Sequence, residues 1–452
     1  MRIRPANRSK WTDPTEYTPH FAYRAVKRNG SQVREVQCDG VSLERIAHRI
    51  GTPAYVYSER GIEDAFRRLD RAFGSLPHRL CYALKANSNL SVLRILAKLG
   101  SRFDIVSGGE LERLRHIGVP GSRIVFSGVG KAREEIRAAI AYHVGRSAEQ
   151  QGILLFNVES ESELNLLIDE AARHVQKGGQ RVSTAIRVNP DILAGGHPHI
   201  STGYHHHKFG MSWSDALHLY KSHKNSRWIE WKGISTHIGS QILAVAPFRR
   251  AAARLASYVR ELMSAGIHLQ YIDVGGGLGI RYTNETPADV SRYARALSAI
   301  MRPSRRTLLI EPGRAIVGAA GVLLTRVLYV KRNGGRRFVI VDAAMNDLIR
   351  PSLYGATHPI TPASVARQAP VATEPADVVG PVCESGDFLA RDWPLPEVQA
   401  GDLLIVWATG AYGFVQSSNY NARLRPAEAL VRRGRFRVIR RRQTFDEMIS
   451  GE

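Results

Sequence analysis

The stretch LCYALKANSNLSVLRILAKLG (80–100) contains the repeating unit that decides the fold. It opens with a short β-rich run, LCYALK, passes through a polar loop and continues with apolar residues at helical spacing. The closing residue, Gly100, is typical of a helix C-terminus. The stretch therefore predicts one β/α unit, with Lys85 at the end of its strand.

The same unit recurs along the middle of the chain. Segments with helical periodicity, such as SELNLLIDEAARHV (162–175), separate short β-rich runs. The candidate strands are LCYALK (80–85), FDIV (103–106), RIVFS (123–127), ILLFNV (153–158), STAIRV (183–188), KGISTH (232–237), QYIDV (270–274) and TLLIE (307–311). Eight alternating units predict an α/β fold, a closed parallel (β/α)8 barrel of the TIM type. In such a barrel the active site lies at the C-terminal ends of the strands.

The sequence changes character after about residue 318, where β-rich runs alternate with turn signals such as KRNGGRRF (331–338). We therefore predict a second, mainly antiparallel β domain built from residues 318–452 and an N-terminal segment at 31–58. The barrel would occupy residues 59–317. Residues 1–30 show no clear pattern, and we expect a poorly ordered extension there.

Composition favours a soluble globular protein in the cytoplasm. The 452 residues are 44% hydrophobic and 23% charged, and the longest apolar run, AIVGAAGVLL (315–324), is too short to span a bilayer. The first twenty residues have no apolar core of the kind found in secretory signals. We expect neither a membrane segment nor export.

The formal net charge of +22 raises the question of nucleic-acid binding. Arginine is spread along the whole chain, and its densest run, at 423–443, has the pattern of a strand with a solvated face. No recognised nucleic-acid-binding motif accompanies that run. We therefore predict that the positive charge serves an anionic substrate or cofactor, and that nucleic acid is not a partner.

Chemically useful residues follow several of the predicted strands. Burying the Lys85 ammonium is costly unless it is paired or neutralised. Glycines in DVGGGLGI (273–280) allow a backbone to surround a phosphate, although a lone glycine cluster is more often a tight turn. EPGR (311–314) adds a carboxylate and HIGSQ (237–241) adds an imidazole. An amine, an anion cradle, a carboxylate and a flat ring are together what pyridoxal phosphate requires.

Several motifs in order identify a family. The chain resembles the diaminopimelate decarboxylases, which belong to the alanine-racemase-like, fold-type III pyridoxal phosphate enzymes. The resemblance spans roughly residues 40–432 and is carried by YALKAN, FDIVSGGEL, HIGSQ, GGGLGI, EPGR, DAAMNDLIRPSLY, CESGD and GAYG.

The resemblance implies roles for the residues at the barrel rim. Lys85 would bind the cofactor aldehyde, Glu311 would face the pyridine nitrogen and His237 would stack on the ring. Asp104 and Arg187 would orient Lys85 and the ring, although an ordinary ion pair inside the barrel is the alternative for both. The cofactor's phosphate would be held by Ser240, Gly277, the backbone around Gly313 and Tyr412, with Arg314 close by. Gly276 and Pro312 would be further cofactor contacts.

The resemblance also implies how the substrate is bound. A small amino acid with two carboxylates would meet two guanidiniums, and a carboxylate would meet its distal ammonium. The residues are Arg314, Arg350, Tyr354, Glu384 and Tyr412. Cys383 would return a proton to the carbanion carbon in the neighbouring subunit's site, which makes the working unit a homodimer. We expect Cys38 and Cys81 to be buried small hydrophobes.

The loop GGHPHISTGYHHHKFGMS (195–212) raises the question of a metal. Its histidines, at positions 197, 199 and 205–207, do not follow a recognised ligand spacing. We therefore predict no metal site and expect these side chains to be exposed and polar.

The implied reaction is decarboxylation of meso-2,6-diaminopimelate to L-lysine and carbon dioxide, the last step of lysine biosynthesis. Two departures from the family pattern, ARLRP at 422–426 and Ala344 in DAAMND, touch no residue with an assigned role. Three alternatives remain open: a decarboxylase of ornithine, arginine or lysine, an alanine-type racemase, and an inactive regulatory homologue. Lys85 with Cys383 argues against the last, and CESGD with RPSLY argues against the racemase.

Overall fold

The computed structural model describes residues 13–28, 31–144, 151–192, 208–366 and 373–452. The chain forms two compact units. The barrel unit comprises Ala65–Gly279 and Pro287–Gly313. The β unit comprises Met1–Asp64, Ile280–Thr286 and Arg314–Glu452. Among the described helices, none is both long enough and apolar enough to cross a membrane.

A strand occupies the N-terminal region where we expected little order. The first elements of the chain are β1 (Phe21–Arg28), β2 (Ser31–Cys38), β3 (Val41–Ser42), α1 (Leu43–Ile50), β4 (Ala54–Ser58) and α2 (Glu59–Ala72). β1 pairs antiparallel with β2, from Phe21 opposite Cys38 to Arg28 opposite Ser31. Phe21 is fully buried in the same core as Trp407, and this burial orders the strand. The expectation of disorder is therefore wrong for residues 21–28, while residues 1–12 lie outside the described part.

The predicted parallel barrel is confirmed. Its strands are β5 (His78–Ala83), β6 (Arg102–Ile105), β7 (Ile124–Phe126), β8 (Leu155–Val158), β9 (Val182–Arg187), β10 (Ile229–Ser235), β11 (Tyr271–Asp273) and β12 (Thr307–Ile310). Each strand pairs in parallel with its neighbours, and β12 pairs with β5 to close the ring. The strands form because β-rich apolar runs are buried on both faces of a parallel sheet.

Helices follow the barrel strands. They are α3 (Leu90–Lys98), α4 (Gly108–His116), α5 (Arg133–Ile140), α6 (Glu161–Gln176), α7 (Trp213–Ser222), α8 (Val245–Ser264) and α9 (Val290–Met301). Several begin at a serine whose hydroxyl accepts a backbone N–H of the first turn, as Ser160 Oγ does from Glu163 at 3.1 Å. These caps fix where each loop ends, and so where the residues at the barrel rim are held.

The remaining elements belong to the β unit. They are α10 (Arg314–Val317), β13 (Gly321–Asn333), β14 (Arg336–Val341), α11 (Arg350–Tyr354), β15 (Ile360–Pro362), β16 (Ser364–Ala366), β17 (Thr373–Val379), β18 (Phe388–Pro396), β19 (Leu403–Val406), β20 (Ala427–Arg432), β21 (Arg435–Arg440) and α12 (Phe445–Ile449). A nine-stranded sheet runs β18-β17-β14-β13-β4-β20-β21, with β15 and β19 beside it. A four-stranded sheet joins β1, β2, β3 and β16. Most pairs are antiparallel, as predicted, but β4 with β20 and β14 with β17 are parallel.

Candidate active site

Lys85 follows β5 at the rim of the barrel and is paired with an acid. Its Nζ lies 2.8 Å from Oδ2 of Asp104, at the end of β6. The Asp104 side chain is fully buried, whereas 34% of the Lys85 side chain is exposed. Burial, followed by the charge of Glu311, raises the pKa of Asp104 to about 6, although Lys85 opposes the shift. The contact between Asp104 and Lys85 that we predicted is present.

His237, which follows β10, has a neutral ring. Its Nδ1 accepts the N–H of Gly276 at 3.0 Å and lies 3.7 Å from Oε2 of Glu311, beyond hydrogen-bond distance. Burial lowers the pKa of His237. Because the Nδ1 lone pair is occupied, the proton of the imidazole is on Nε2.

Glu311 follows β12 as a buried carboxylate. Burial alone would raise its pKa, but the neighbouring His237 and then the Lys85 charge outweigh burial and hold the pKa below its ordinary value. Ser127 Oγ donates to Oε1 at 3.4 Å, and the Glu311 N–H donates to the Gly275 carbonyl at 2.9 Å. The carboxylate is therefore held at a defined place among the loops at the barrel rim.

The glycine loop after β11 packs so closely that side chains do not fit. A Cβ at Gly276 would lie 2.0 Å from the Glu311 carbonyl oxygen, and one at Gly277 would lie 2.3 Å from the Gly239 carbonyl oxygen. Gly277 also has a φ of +100°, which favours glycine. The N–H of Gly276, which we predicted to be a cofactor contact, is donated to His237. In this structure Gly276 positions the imidazole, and Gly277 and Ser240 stay the predicted phosphate contacts.

Arg187, at the end of β9, is in the ion pair that the sequence analysis kept as the alternative. Its Nη1 lies 2.8 Å from Oε1 of Glu159, and both side chains are buried. Glu159 also accepts the N–H groups of Gly128 at 2.9 Å and of Gly210 at 3.0 Å. Glu159 was missed, although it comes directly after the predicted strand ILLFNV, where chemically useful residues are expected.

Pro312 and Gly313 hold the chain after β12 against the turn that carries Lys85. The Pro312 carbonyl accepts the N–H of Ala83 at 3.1 Å. A Cβ at Gly313 would lie 2.9 Å from the Ala86 side chain. Both residues therefore lie beside Lys85, and their predicted contact with the cofactor stays a prediction.

In the β unit, Arg314 is buried between aromatic rings. Its guanidinium carbon lies 4.9 Å from the ring centroid of Tyr412 and 5.8 Å from that of Tyr282, and its Nη1 donates to the Tyr282 hydroxyl. Tyr412 has a φ of +56°, which is uncommon for a bulky residue. The strained backbone at Tyr412 accompanies the stacking of its ring on Arg314. Tyr282 was not identified from sequence, because it lies outside the family motifs.

Arg350 is held by a histidine. Its Nε donates to Nε2 of His358 at 3.2 Å, and His358 Nδ1 donates to the Trp407 carbonyl at 2.8 Å. Burial and the charge of Arg350 lower the pKa of His358 to about 3, so the ring is neutral. The guanidinium carbon of Arg350 also lies 5.8 Å from the Tyr354 ring centroid.

Arg350 is a buried cation that has no acidic partner among the described residues. Within the described ranges, no carboxylate lies in ion-pair distance of its guanidinium. Its ring partner Tyr282, at 5.7 Å, is shared with Arg314. A buried cation is costly unless an anion compensates it, so Arg350 is suited to bind a carboxylate.

Cys383 and Glu384 lie on an exposed loop of the β unit. The Cys383 N–H donates to Asn421 Oδ1 at 2.9 Å, and Glu384 Oε2 accepts from the Tyr420 hydroxyl at 2.8 Å. Asp387 fixes the loop, since its two carboxylate oxygens accept the N–H groups of Val382 and Met345, each at 2.7 Å. The thiol is thus presented at the surface on a fixed backbone.

The other two cysteines are buried, as expected, and burial raises the pKa of both Cys38 and Cys81. The histidines of the loop at 195–207 lie outside the described residues. Within the described residues, no three or more histidine, cysteine, aspartate or glutamate side chains group as metal ligands would.

The barrel residues fit the requirements of pyridoxal phosphate. Lys85 presents an amine, Glu311 a buried carboxylate and His237 a neutral flat ring. Asp104 Oδ1 is buried and has no hydrogen-bond partner within the described ranges, so it keeps an acceptor for a ligand. At Gly277 the missing side chain lets the backbone approach an anion.

Comparison with known proteins agrees with this chemistry. The model for the pyridoxal binding domain of pyridoxal-dependent decarboxylases matches residues 59–318. The chain is 46% identical to the diaminopimelate decarboxylases of Pseudomonas fluorescens and Pseudomonas aeruginosa, over 92% of this chain and 97% of each relative. The structure of diaminopimelate decarboxylase from Helicobacter pylori complexed with L-lysine is 41% identical, with a TM-score of 0.82, over 90% of this chain and 98% of that chain. The chain therefore belongs to the pyridoxal-dependent decarboxylases and, within them, to the diaminopimelate decarboxylase family.

Proposed function

We propose that this protein uses pyridoxal phosphate to decarboxylate meso-2,6-diaminopimelate to L-lysine and carbon dioxide. The observation that carries the proposal is the pair of buried guanidiniums, Arg314 and Arg350, packed on the shared ring of Tyr282. Two arginines suit a substrate with two carboxylates, whereas ornithine has a single carboxylate. Relatives named diaminopimelate decarboxylase support the same substrate.

Residues of the barrel unit would hold the cofactor. The Lys85 amine would bind its aldehyde, Glu311 would face its ring nitrogen and the neutral ring of His237 would stack on its face. Ser240, Gly277 and Tyr412 would contact the phosphate, with Arg314 close by. When bound, the cofactor ring takes up the electron pair that the departing carboxylate leaves behind.

The remaining residues would recognise substrate and move a proton. Arg350, oriented by His358, would bind one carboxylate beside the ring of Tyr354. Glu384 would pair with the distal ammonium, a choice that favours a substrate with two amino groups. The Cys383 thiol would deliver the proton that replaces carbon dioxide on the same carbon.

We further propose a homodimer, in which Cys383 and Glu384 serve the partner's site. Both residues are exposed in one chain. Tyr420, whose hydroxyl donates to Glu384, is 45% exposed, and contact with a second copy would bury its ring. Because all three cysteines are free thiols, we also propose a reducing, cytoplasmic location.

Substrate specificity provides the test. Purified protein with added pyridoxal phosphate is incubated separately with meso-diaminopimelate, L-ornithine, L-arginine and L-lysine, and carbon dioxide is measured. Release from diaminopimelate alone is expected. Release from another of these amino acids would reassign the substrate, and no release from any would favour the inactive regulatory homologue.

A further inference from the structure

Asp273 is a fully buried acid that the proposed function leaves without a role. It is the last residue of β11 and precedes the glycine loop. Its Oδ1 accepts the N–H of Gly275 at 2.9 Å, and its Oδ2 accepts an N–H of Asn157 at 3.1 Å. The carboxyl group is therefore fixed on two sides inside the barrel.

Asp273 on β11 pairs with Leu309 on β12, so the side chain of Glu311, two residues further on, lies on the same face of the barrel sheet. The interaction between the two carboxyl groups raises the pKa of Asp273 beyond the effect of burial. The same amide group of Asn157 donates to Ser127 Oγ at 3.1 Å, and Ser127 in turn donates to Glu311 at 3.4 Å. The two acids thus lie in one buried network. Two carboxylates cannot both be ionised at hydrogen-bond distance in such a site, and a hydrogen bond between them requires one proton.

The surroundings decide which acid keeps the proton. Glu311 is near the positive charge of Lys85, which favours its ionised form. Burial, and then the negative charge of Glu311, raises the pKa of Asp273 well above its ordinary value. Other titratable groups near Asp273 in the described part of the chain include Asp104 on β6, Cys81 on β5 and Tyr293 on α9, which are acids.

We propose that Asp273 is a positioning residue that stays a neutral carboxylic acid and donates its proton in a hydrogen bond to Glu311. The bond orients Glu311 and makes it a weaker base. A proton shared between Glu311 and the ring nitrogen then stays on the nitrogen, where it makes the ring a better electron acceptor. The protonation of Asp273 is independent of the proposed function, whereas its effect on the ring rests on that function.

Infrared spectra of the full-length wild type and of a variant at Asp273, each recorded with and without pyridoxal phosphate, test the protonation directly. Asp273→Asn keeps the size of the side chain and offers an N–H to Glu311. Asn157 Oδ1, which has no partner in the described part of the chain, can accept the second N–H if its amide rotates. At pH 7 the wild type is expected to show a carboxylic acid band that the variant lacks. Loss of carboxylate bands instead would overturn the proposal.

Two further variants sharpen the measurement. Asp169→Asn, at a largely exposed surface acid, is the matched control and is expected to lose carboxylate bands only. Glu311→Gln replaces the carboxylate acceptor with a neutral amide, so the carboxylic acid band of Asp273 should shift as its hydrogen bond weakens. A band at the wild-type frequency in Glu311→Gln would show that Asp273 does not donate to Glu311, and would overturn the pairing.

Cofactor binding gives a separate measure of the positioning role. Titration of the apoprotein with pyridoxal phosphate, followed by absorption, should give Asp273→Asn a dissociation constant within about threefold of wild type. Asp273→Ala, which has no donor, should bind about tenfold or more weakly. Equal weakening in both variants would overturn the role of the donated hydrogen bond. None of these measurements uses diaminopimelate, so a wrong substrate assignment would leave their outcome unchanged.

Discussion

The cost of placing an ammonium at the end of a barrel strand is met locally, by the pairing of Lys85 with Asp104. The same reasoning applies to Arg350, whose Nε donates to a histidine that burial keeps neutral. Lys85 and Arg350 are thus each held by a buried neighbour whose own pKa is shifted. Because the pKa values of these neighbours are shifted, their contributions can be tested by varying the pH.

We predict that Asp104→Asn changes how the stability of the apoprotein depends on pH. Because the folded-state pKa of Asp104 is raised to about 6, ionisation of this acid destabilises the folded protein as the pH rises through its unfolded value toward 6. The variant lacks this loss of unfolding free energy, which amounts to about 3 kcal/mol in total. Urea unfolding at several values between pH 4 and 7 measures it. A constant stability difference between the two proteins over this range would contradict the prediction.

The contribution of His358 to the pH dependence of stability should have the opposite sign to that of Asp104. Its pKa is lowered to about 3, so the folded protein loses stability as the pH falls below the unfolded value, by about 1.4 kcal/mol per unit from this residue. His358→Gln keeps an acceptor for Arg350 and should remove this acid sensitivity, with KM for diaminopimelate near that of wild type. His358→Ala should raise KM about tenfold with kcat less affected, because Arg350 loses its orientation. An unchanged KM in the alanine variant would contradict the positioning of Arg350.

At the scale of elements, loops are fixed by carboxylates that accept backbone N–H groups. Glu159 joins the loops after β7 and β9 in this way, and Asp387 joins the segment at Val382 to that at Met345. In the sequence, an aspartate or glutamate that fixes a loop looks the same as one on the surface. Only its contacts in the structure distinguish it. Sequence patterns therefore located the loops without showing what holds them.

We predict that Asp387→Asn lowers kcat by roughly tenfold and leaves the dissociation constant of pyridoxal phosphate unchanged. An amide has one acceptor oxygen, so one of the two N–H groups loses its partner and the loop that carries Cys383 is displaced. Steady-state kinetics and cofactor titration measure the two effects. Asp402→Asn, which removes a similar acceptor from an exposed turn, is the control. Equal losses in both variants would mean that the Asp387 loop has no special part in the proton transfer.

At the scale of the whole molecule, the fold could be predicted wherever a sequence pattern is typical of only one structure. Strands buried on both faces gave apolar runs between helical segments, and the closed barrel followed. β1 was missed, although FAYRAVKR (21–28) alternates and precedes Asn-Gly, a strong hairpin signal. The family motifs located Lys85, Glu311 and His237, whereas Tyr282, His358 and Asp273 depend on contacts between distant segments. No single-sequence pattern identifies such contacts.

Assembly gives a prediction for the complete molecule. If each site combines Lys85 of one subunit with Cys383 of the other, Lys85→Ala and Cys383→Ala proteins should each be nearly inactive alone. Mixed under conditions that exchange subunits, they should regain about a quarter of wild-type activity, because half of the dimers are mixed and each has one intact site. No recovery, in a mixture shown by mass to contain mixed dimers, would contradict shared sites.

The most direct measurement quantifies L-lysine and carbon dioxide formed from meso-diaminopimelate by the wild-type protein and by Lys85→Ala in parallel. The wild type should form the two products in equal amounts, only with pyridoxal phosphate present, and the variant should form neither. Carbon dioxide without lysine, or undiminished turnover by the variant, would contradict a diaminopimelate decarboxylase that works through Lys85.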